Sequence, residues 1–129
     1  MATWADVRRI ALTLPEVTEE SVGGTLRWLV RGKNFVWERP LRKADRTALG
    51  DSAPTGPVLG AYVPDLGVKE ALITDDPRVY FTTPHFDGYP AVLVDLEEAA
   101  VDDLEEVVPE AWLCRAPKRL AKQYLDSGR

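Results

Sequence analysis

The sequence predicts an α+β fold in the order α-β(3)-α-β(2)-α, with an antiparallel sheet packed against helices. Three observations lead there. Apolar residues recur at helical spacing near both ends of the chain, whereas its middle carries short β-branched and aromatic runs broken by Gly, Pro and Asp. Strands follow one another before a helix intervenes, unlike the strict strand–helix alternation of a parallel sheet. The length, 129 residues with 45% apolar and 29% charged side chains, suits one soluble domain, 1–129.

Thr3 is placed to cap a helix over 4–13, with Asp6 where a capping-box acid sits. Trp4, Val7, Ile10, Ala11 and Leu14 form its apolar stripe, and Pro15 ends it. Residues 13–22, T-L-P-E-V-T-E-E-S-V, read as a polar connection. Strands 25–30 and 34–39 form a hairpin around Gly32-Lys33, and 58–63 is a third strand. Between them, 40–57 reads as a long mobile loop. A short helix over 65–73 turns Leu66, Ala71 and Leu72 inward, and strands 78–82 and 90–95 follow. The tail reads as three helical segments, begun at Asp102-Asp103, Pro109 and Pro117, since a missing N–H costs nothing in a first turn.

A net charge of −5 conceals an asymmetry. Residues 21–50 carry seven bases against Glu38 and Asp45, and 97–110 carry seven acids and no base. Arg27, Arg31, Lys33 and Arg39 lie on or beside the hairpin, and Arg42, Lys43 and Arg46 on the loop after it. Such a hairpin suits a wing against phosphates; equally, Lys and Arg protect an edge strand from aggregation. The tail bases Arg115, Lys118, Arg119 and Lys122 extend the nucleic-acid reading, while the average field opposes a polyanion.

Catalytic signatures are absent: no GxGxxG, P-loop, GxSxG, HExxH or CxxC occurs. The acids of 97–110 read as a solvated helix start rather than a metal cluster, and no metal or cofactor is expected. One cysteine, Cys114, excludes an internal disulfide and reads as a buried, inert thiol. The four tryptophans read as core, with base stacking the alternative for Trp28 and Trp37. The stretch 82–89, T-T-P-H-F-D-G-Y, holds the one histidine. His85 with Phe86, Asp87 and Tyr89 is a candidate ligand loop; the alternative is a structural histidine bonded to loop backbone, beside an Asp-Gly turn. Residues 1–16 carry Asp6, Arg8 and Arg9 and no sustained apolar core, so neither a signal peptide nor a membrane association is expected, and the location expected is cytoplasmic.

L-P-E-V-T-E-E-S, the hairpin G-K-x-F (Gly32, Lys33, Phe35), V-Y-F-T-T-P-H-F-D-G-Y-P-A-V-L-V and E-A-W-L-C-R-A-P-K-R-L together resemble the MmcQ/YjbR-like family over nearly the whole chain. The resemblance implies an α-β(3)-α-β(2)-α fold similar to type III secretion chaperones. It also implies a DNA-binding role by analogy with a double-wing motif, and no catalytic residues. The expected function is a small, non-enzymatic, cytoplasmic DNA-binding protein. The alternative is a protein- or small-ligand-binding module using His85–Tyr89.

Overall fold

A computed structural model describes residues 1–127. Helix α1 (Trp4–Leu12) leads into strands β1 (Val17–Val22), β2 (Thr25–Val30) and β3 (Lys33–Glu38), then helix α2 (Lys43–Leu49). Strand β4 (Val58–Tyr62), helix α3 (Leu66–Asp75), strands β5 (Tyr80–Phe81) and β6 (Ala91–Asp95), and helices α4 (Val101–Arg115) and α5 (Lys118–Asp126) complete the chain. The six strands form one antiparallel sheet in the order β1-β2-β3-β4-β6-β5. The predicted α+β class and antiparallel sheet are those observed.

Alternation along the strands splits the apolar residues between two faces. Leu59, Ala61, Val92 and Val94 point with Trp28 and Phe35 into the main core, which α1 and α4 cover. Trp28 is fully buried, stacks on Trp4 at 6.2 Å, and donates its indole N–H to Glu19. Trp112 of α4 is also fully buried and donates to the Pro15 carbonyl at 3.1 Å, tying the end of the first helix to the fourth. On the opposite face, Val58, Ala91, Leu93 and Phe86 form a second, smaller core with Trp37, Leu41 and Phe81. That face carries the candidate site.

Several sequence expectations change. Residues 17–22 are a strand, not a connection: Gly23 and Gly24, both at positive φ, turn it tightly onto β2. The hairpin turn is Arg31-Gly32 rather than Gly32-Lys33, with φ of 50° and 80°, the primed geometry that a two-residue hairpin loop favours. Residues 43–49 are helical within the expected loop. This helix has no apolar stripe to betray it; Asp45 caps it by accepting the Arg42 N–H at 2.8 Å. In α3 the inward residues are Lys69, Leu72 and Ile73, whereas Leu66 and Ala71 are exposed. Helix α4 runs unbroken through Pro109, because Leu104, Val107 and Val108 before it and Ala111 and Trp112 after it all pack on the core. That burial outweighs the roughly 3 kcal/mol a mid-helix proline costs.

One position governs the far face. Trp37 lies directly across from Gly60 in the β3–β4 register, and a β-carbon at residue 60 would fall 2.4 Å from the indole ring. Gly60→Ala therefore lifts the indole off the sheet. The expected loss is about 2 kcal/mol in urea unfolding, in the range for an overpacked site, with the Trp37 indole resonance displaced in NMR spectra.

Candidate functional site

Trp37 on β3 and Tyr62 on β4 stand on the far face, and the loop 84–90 brings Phe86 and Tyr89 over them. Trp37 lies 5.4 Å from Tyr62 and 6.2 Å from Phe86, and Tyr62 lies 5.9 Å from Tyr89, centroid to centroid. The Tyr62 and Tyr89 hydroxyls share a hydrogen bond of 2.7 Å. The rings border an open cleft of about 600 Å³, with Arg39, Leu41, Arg42 and His85 at one side and Thr25 and Glu38 at the other.

Lys69 secures the loop. It is 6% exposed, and its ammonium donates to the Phe86 carbonyl at 2.6 Å and the Tyr89 carbonyl at 2.9 Å. Burial lowers its pKa, and the Asp87 carboxylate opposes that shift. Between the two clamped carbonyls, Gly88 supplies a φ of 75°, so Asp87-Gly88 does serve as a turn. Pro84–Phe86 form a short 3-10 turn that packs against α2.

The second support is the ion pair between Arg39 and Asp45, 3.2 Å apart with both side chains buried. Arg39 also donates to the Pro40 carbonyl and lies over the Phe86 ring at 5.3 Å. Burial works to raise the Asp45 pKa; the Arg42 amide, the Arg39 charge and the neighbouring Thr83 and His85 outweigh it, leaving the carboxyl below its ordinary value. Thr83 is 2% exposed, and its hydroxyl makes no hydrogen bond of good geometry, so it acts on Asp45 by proximity.

The predicted loop residues thus fall into distinct places. Phe86 is buried under the cleft, Tyr89 is exposed on its wall, and Asp87 is exposed in the turn. His85 is exposed at the rim with its ring edge-on to Phe86 at 4.8 Å, and its ring makes no hydrogen bond to backbone among the described residues. Sequence reasoning overlooked Tyr62 and Lys69; it read Trp37 as core with stacking the alternative, and the ring is half-buried against the second core while bordering the cleft. A glycine inside the apolar strand V-L-G-A-Y was the available signal, since such a glycine marks a close approach.

The predicted phosphate contacts are dispersed. Arg27 pairs with Glu20 and Arg31 with Glu16, the latter at 2.6 Å; Arg39 is buried with Asp45. Arg115 donates to the Asn34 carbonyl and lies 4.3 Å above the Tyr62 ring, and Lys122 pairs with Asp126. Lys33, Arg42, Lys43, Lys118 and Arg119 are exposed and make no ion pair among the described residues. Cys114 is exposed rather than buried, because it falls outside the α4 stripe that packs on the sheet. Although the residue meets solvent, its sulfur is partly desolvated, and that, with the Glu110 charge, raises the thiol to about 11. Both effects keep it protonated at neutral pH, so it is a poor nucleophile.

Lys69→Met removes two hydrogen bonds from a charged donor and leaves each carbonyl with its backbone N–H partner alone. A loss of about 3 kcal/mol is expected, with amide exchange in 84–90 accelerated more than in β4. Asp45→Asn leaves Arg39 buried without its counter-charge, for a loss of about 3 kcal/mol at neutral pH. Because the folded-state pKa of Asp45 is depressed, its pH-linked stabilisation is complete above the unfolded value of 3.8 and disappears as pH falls through the folded one. Urea unfolding of wild type and Asp45→Asn should therefore converge toward pH 2–3, and a gap that stays constant down to that pH would contradict the assignment.

No protein-family model matches the chain. Its sequence is 56% identical over 128 residues to the uncharacterized protein Rv2570 of Mycobacterium tuberculosis, covering 97% of each chain. The uncharacterized protein Mb2600 of Mycobacterium bovis matches to the same extent. Among solved structures, Deinococcus radiodurans protein DR2400, a DUF419 domain, superposes with a TM-score of 0.66 over 88% of this chain and 78% of the other. At 18% identity that likeness speaks for the fold alone. The mycobacterial identities do more: this chain belongs to the same family as Rv2570 and Mb2600.

Proposed function

We propose that this protein is a non-enzymatic binding module, cytoplasmic and of MmcQ/YjbR type, whose ligand seats in the aromatic cleft. The observation that carries the reading is the convergence of Trp37, Tyr62, Phe86 and Tyr89 around a strand glycine, under a loop clamped by Lys69. The half-buried Trp37 and Tyr62 and the exposed Tyr89, packed on buried Phe86, offer apolar surface for a planar group at little cost in conformational entropy. The cleft is also lined by Arg42, which makes no ion pair among the described residues, by the exposed His85, and by Glu38, whose carboxylate already accepts the Leu26 N–H at 3.0 Å. The ligand chemistry this favours is a planar apolar group bearing a carboxylate or phosphate that reaches Arg42.

Nucleic-acid binding has less behind it. Arg27 and Arg31 are tied to acids of the same sheet edge, Arg39 is buried, and the net charge is −5.

Titration with 2-naphthoate, followed by NMR, tests the proposal. Saturable shifts are expected at the Trp37 indole N–H and the 84–90 amides at about 1 mM or below, and not at Trp4, Trp28 or Trp112. Arg42→Gln should weaken naphthoate about tenfold. Absence of saturable shifts at the cleft overturns the proposal, as does salt-dependent binding of duplex DNA that shifts the hairpin and tail bases in its place.

A further inference from the structure

A second surface lies on the other side of the Tyr62–Tyr89 pair. Between α3 and α4 run two depressions of about 420 and 340 Å³ that share Tyr62, Val63, Pro64 and Glu110. The smaller is floored mainly by apolar side chains, Val68 and Leu72 from α3 and Val107 from α4, and the larger is of mixed character, with Leu113 and Pro90 as its apolar part. Val68 is 37% exposed, and Leu72, one turn further along the same helix, is half-buried beside it. Lengthwise the groove follows α4 from Glu105 to Cys114, about two and a half helical turns or roughly 14 Å.

The rim is acidic. Glu105, Glu106 and Glu110 line the groove, and none has an ion-pair partner among the described residues. Arg115, the one base on the wall, is engaged with the Asn34 carbonyl and the Tyr62 ring. The acids act on groups nearby. Tyr80, buried at the far end, is pushed to about 12 by desolvation and then by Asp103, Glu106 and Asp76. An apolar trough of this length under unpaired carboxylates has the complement of one common partner shape, an amphipathic helix with a basic polar face.

We infer that the α3–α4 groove is a docking site for a cationic amphipathic helix on a partner protein. The partner's apolar stripe lies against Val68, Leu72 and Leu113, and its Lys or Arg residues meet Glu105, Glu106 and Glu110. The inference does not rest on the aromatic cleft having a ligand, although Tyr62 and Tyr89 border both surfaces.

The test uses the full chain and three labelled peptides of about 15 residues, long enough to fold on binding: a Lys/Leu amphipath, its Glu/Leu counterpart and a Lys/Ser control. Fluorescence anisotropy gives affinity, and NMR gives location. The expected result is saturable binding of the Lys/Leu peptide alone, weakened by salt, with shifts at Val68, Leu72 and Leu113. Glu106→Lys combined with Glu110→Lys, both exposed, should lower affinity at least tenfold while leaving the circular dichroism spectrum intact. Equal binding of the Glu/Leu or Lys/Ser peptide, shifts away from α3 and α4, or unchanged affinity in the folded double variant would each overturn the inference. Binding that maps to the acids of β1 would do the same.

Discussion

The far face of the sheet depends on one buried ammonium. Lys69 reaches from α3 to the carbonyls of Phe86 and Tyr89 and so holds that loop at two points. Placing a cation where it is 6% exposed is unfavourable unless its protons are used, and two are used here on the Phe86 and Tyr89 carbonyls, each of which also accepts one backbone N–H. Everything above the sheet follows. Phe86 is pressed into the second core, Arg39 lies over it, α2 packs against the 84–86 turn, and Tyr89 is set within bonding distance of Tyr62. The cleft is therefore largely preformed, which lowers the ordering cost of any ligand it takes.

Charge is distributed with a similar economy. The edge strand β1 has three acids at or beside it, Glu16, Glu19 and Glu20, and each meets an arginine: Arg31, Arg8 and Arg27. These pairs are solvent-exposed and individually worth about 1 kcal/mol or less. Their effect is on recognition. They neutralise the bases that made the hairpin look like a wing, and they protect the outer edge of the sheet with charge. Among the described residues that make no ion pair are the α4 acids Glu105, Glu106 and Glu110 and the scattered Lys33, Arg42, Lys43, Lys118 and Arg119.

Elements built on an apolar period were legible in the chain; elements built on polar contacts were not. Helix α1, the β2–β3 hairpin, β4 and β6 show their spacing plainly. Strand β1 reads V-T-E-E-S-V, and its acids conceal an edge strand whose partners lie on α1 and β2. Helix α2 has a buried aspartate where a periodicity search looks for leucine. Pro109 signals a break that core packing overrides. In the site, the His85–Tyr89 loop was legible from its composition. Its clamp was not, because Lys69 is an ordinary surface residue in any one-dimensional reading. Trp37 was read as core because tryptophan usually is; only its register with Gly60 assigns it to the far face.

The hydrogen-bonded tyrosines form the partition between the cleft and the α3–α4 groove, since Tyr62 and Tyr89 line both. Tyr62 is gripped on one side by Trp37 and on the other by the Arg115 guanidinium, so a ring that turned toward one cavity would disturb the other. Tyr89 hangs from a loop whose position Lys69 sets. A planar ligand that stacked on Trp37 would press on this wall from one side, and a helix seated along Val63 and Pro64 would press from the other. Two sites sharing a two-residue wall are coupled to the degree that each occupant favours a different placement of it, and the coupling is reciprocal. The partition is thus the place where occupancy of the cleft would be felt in the groove.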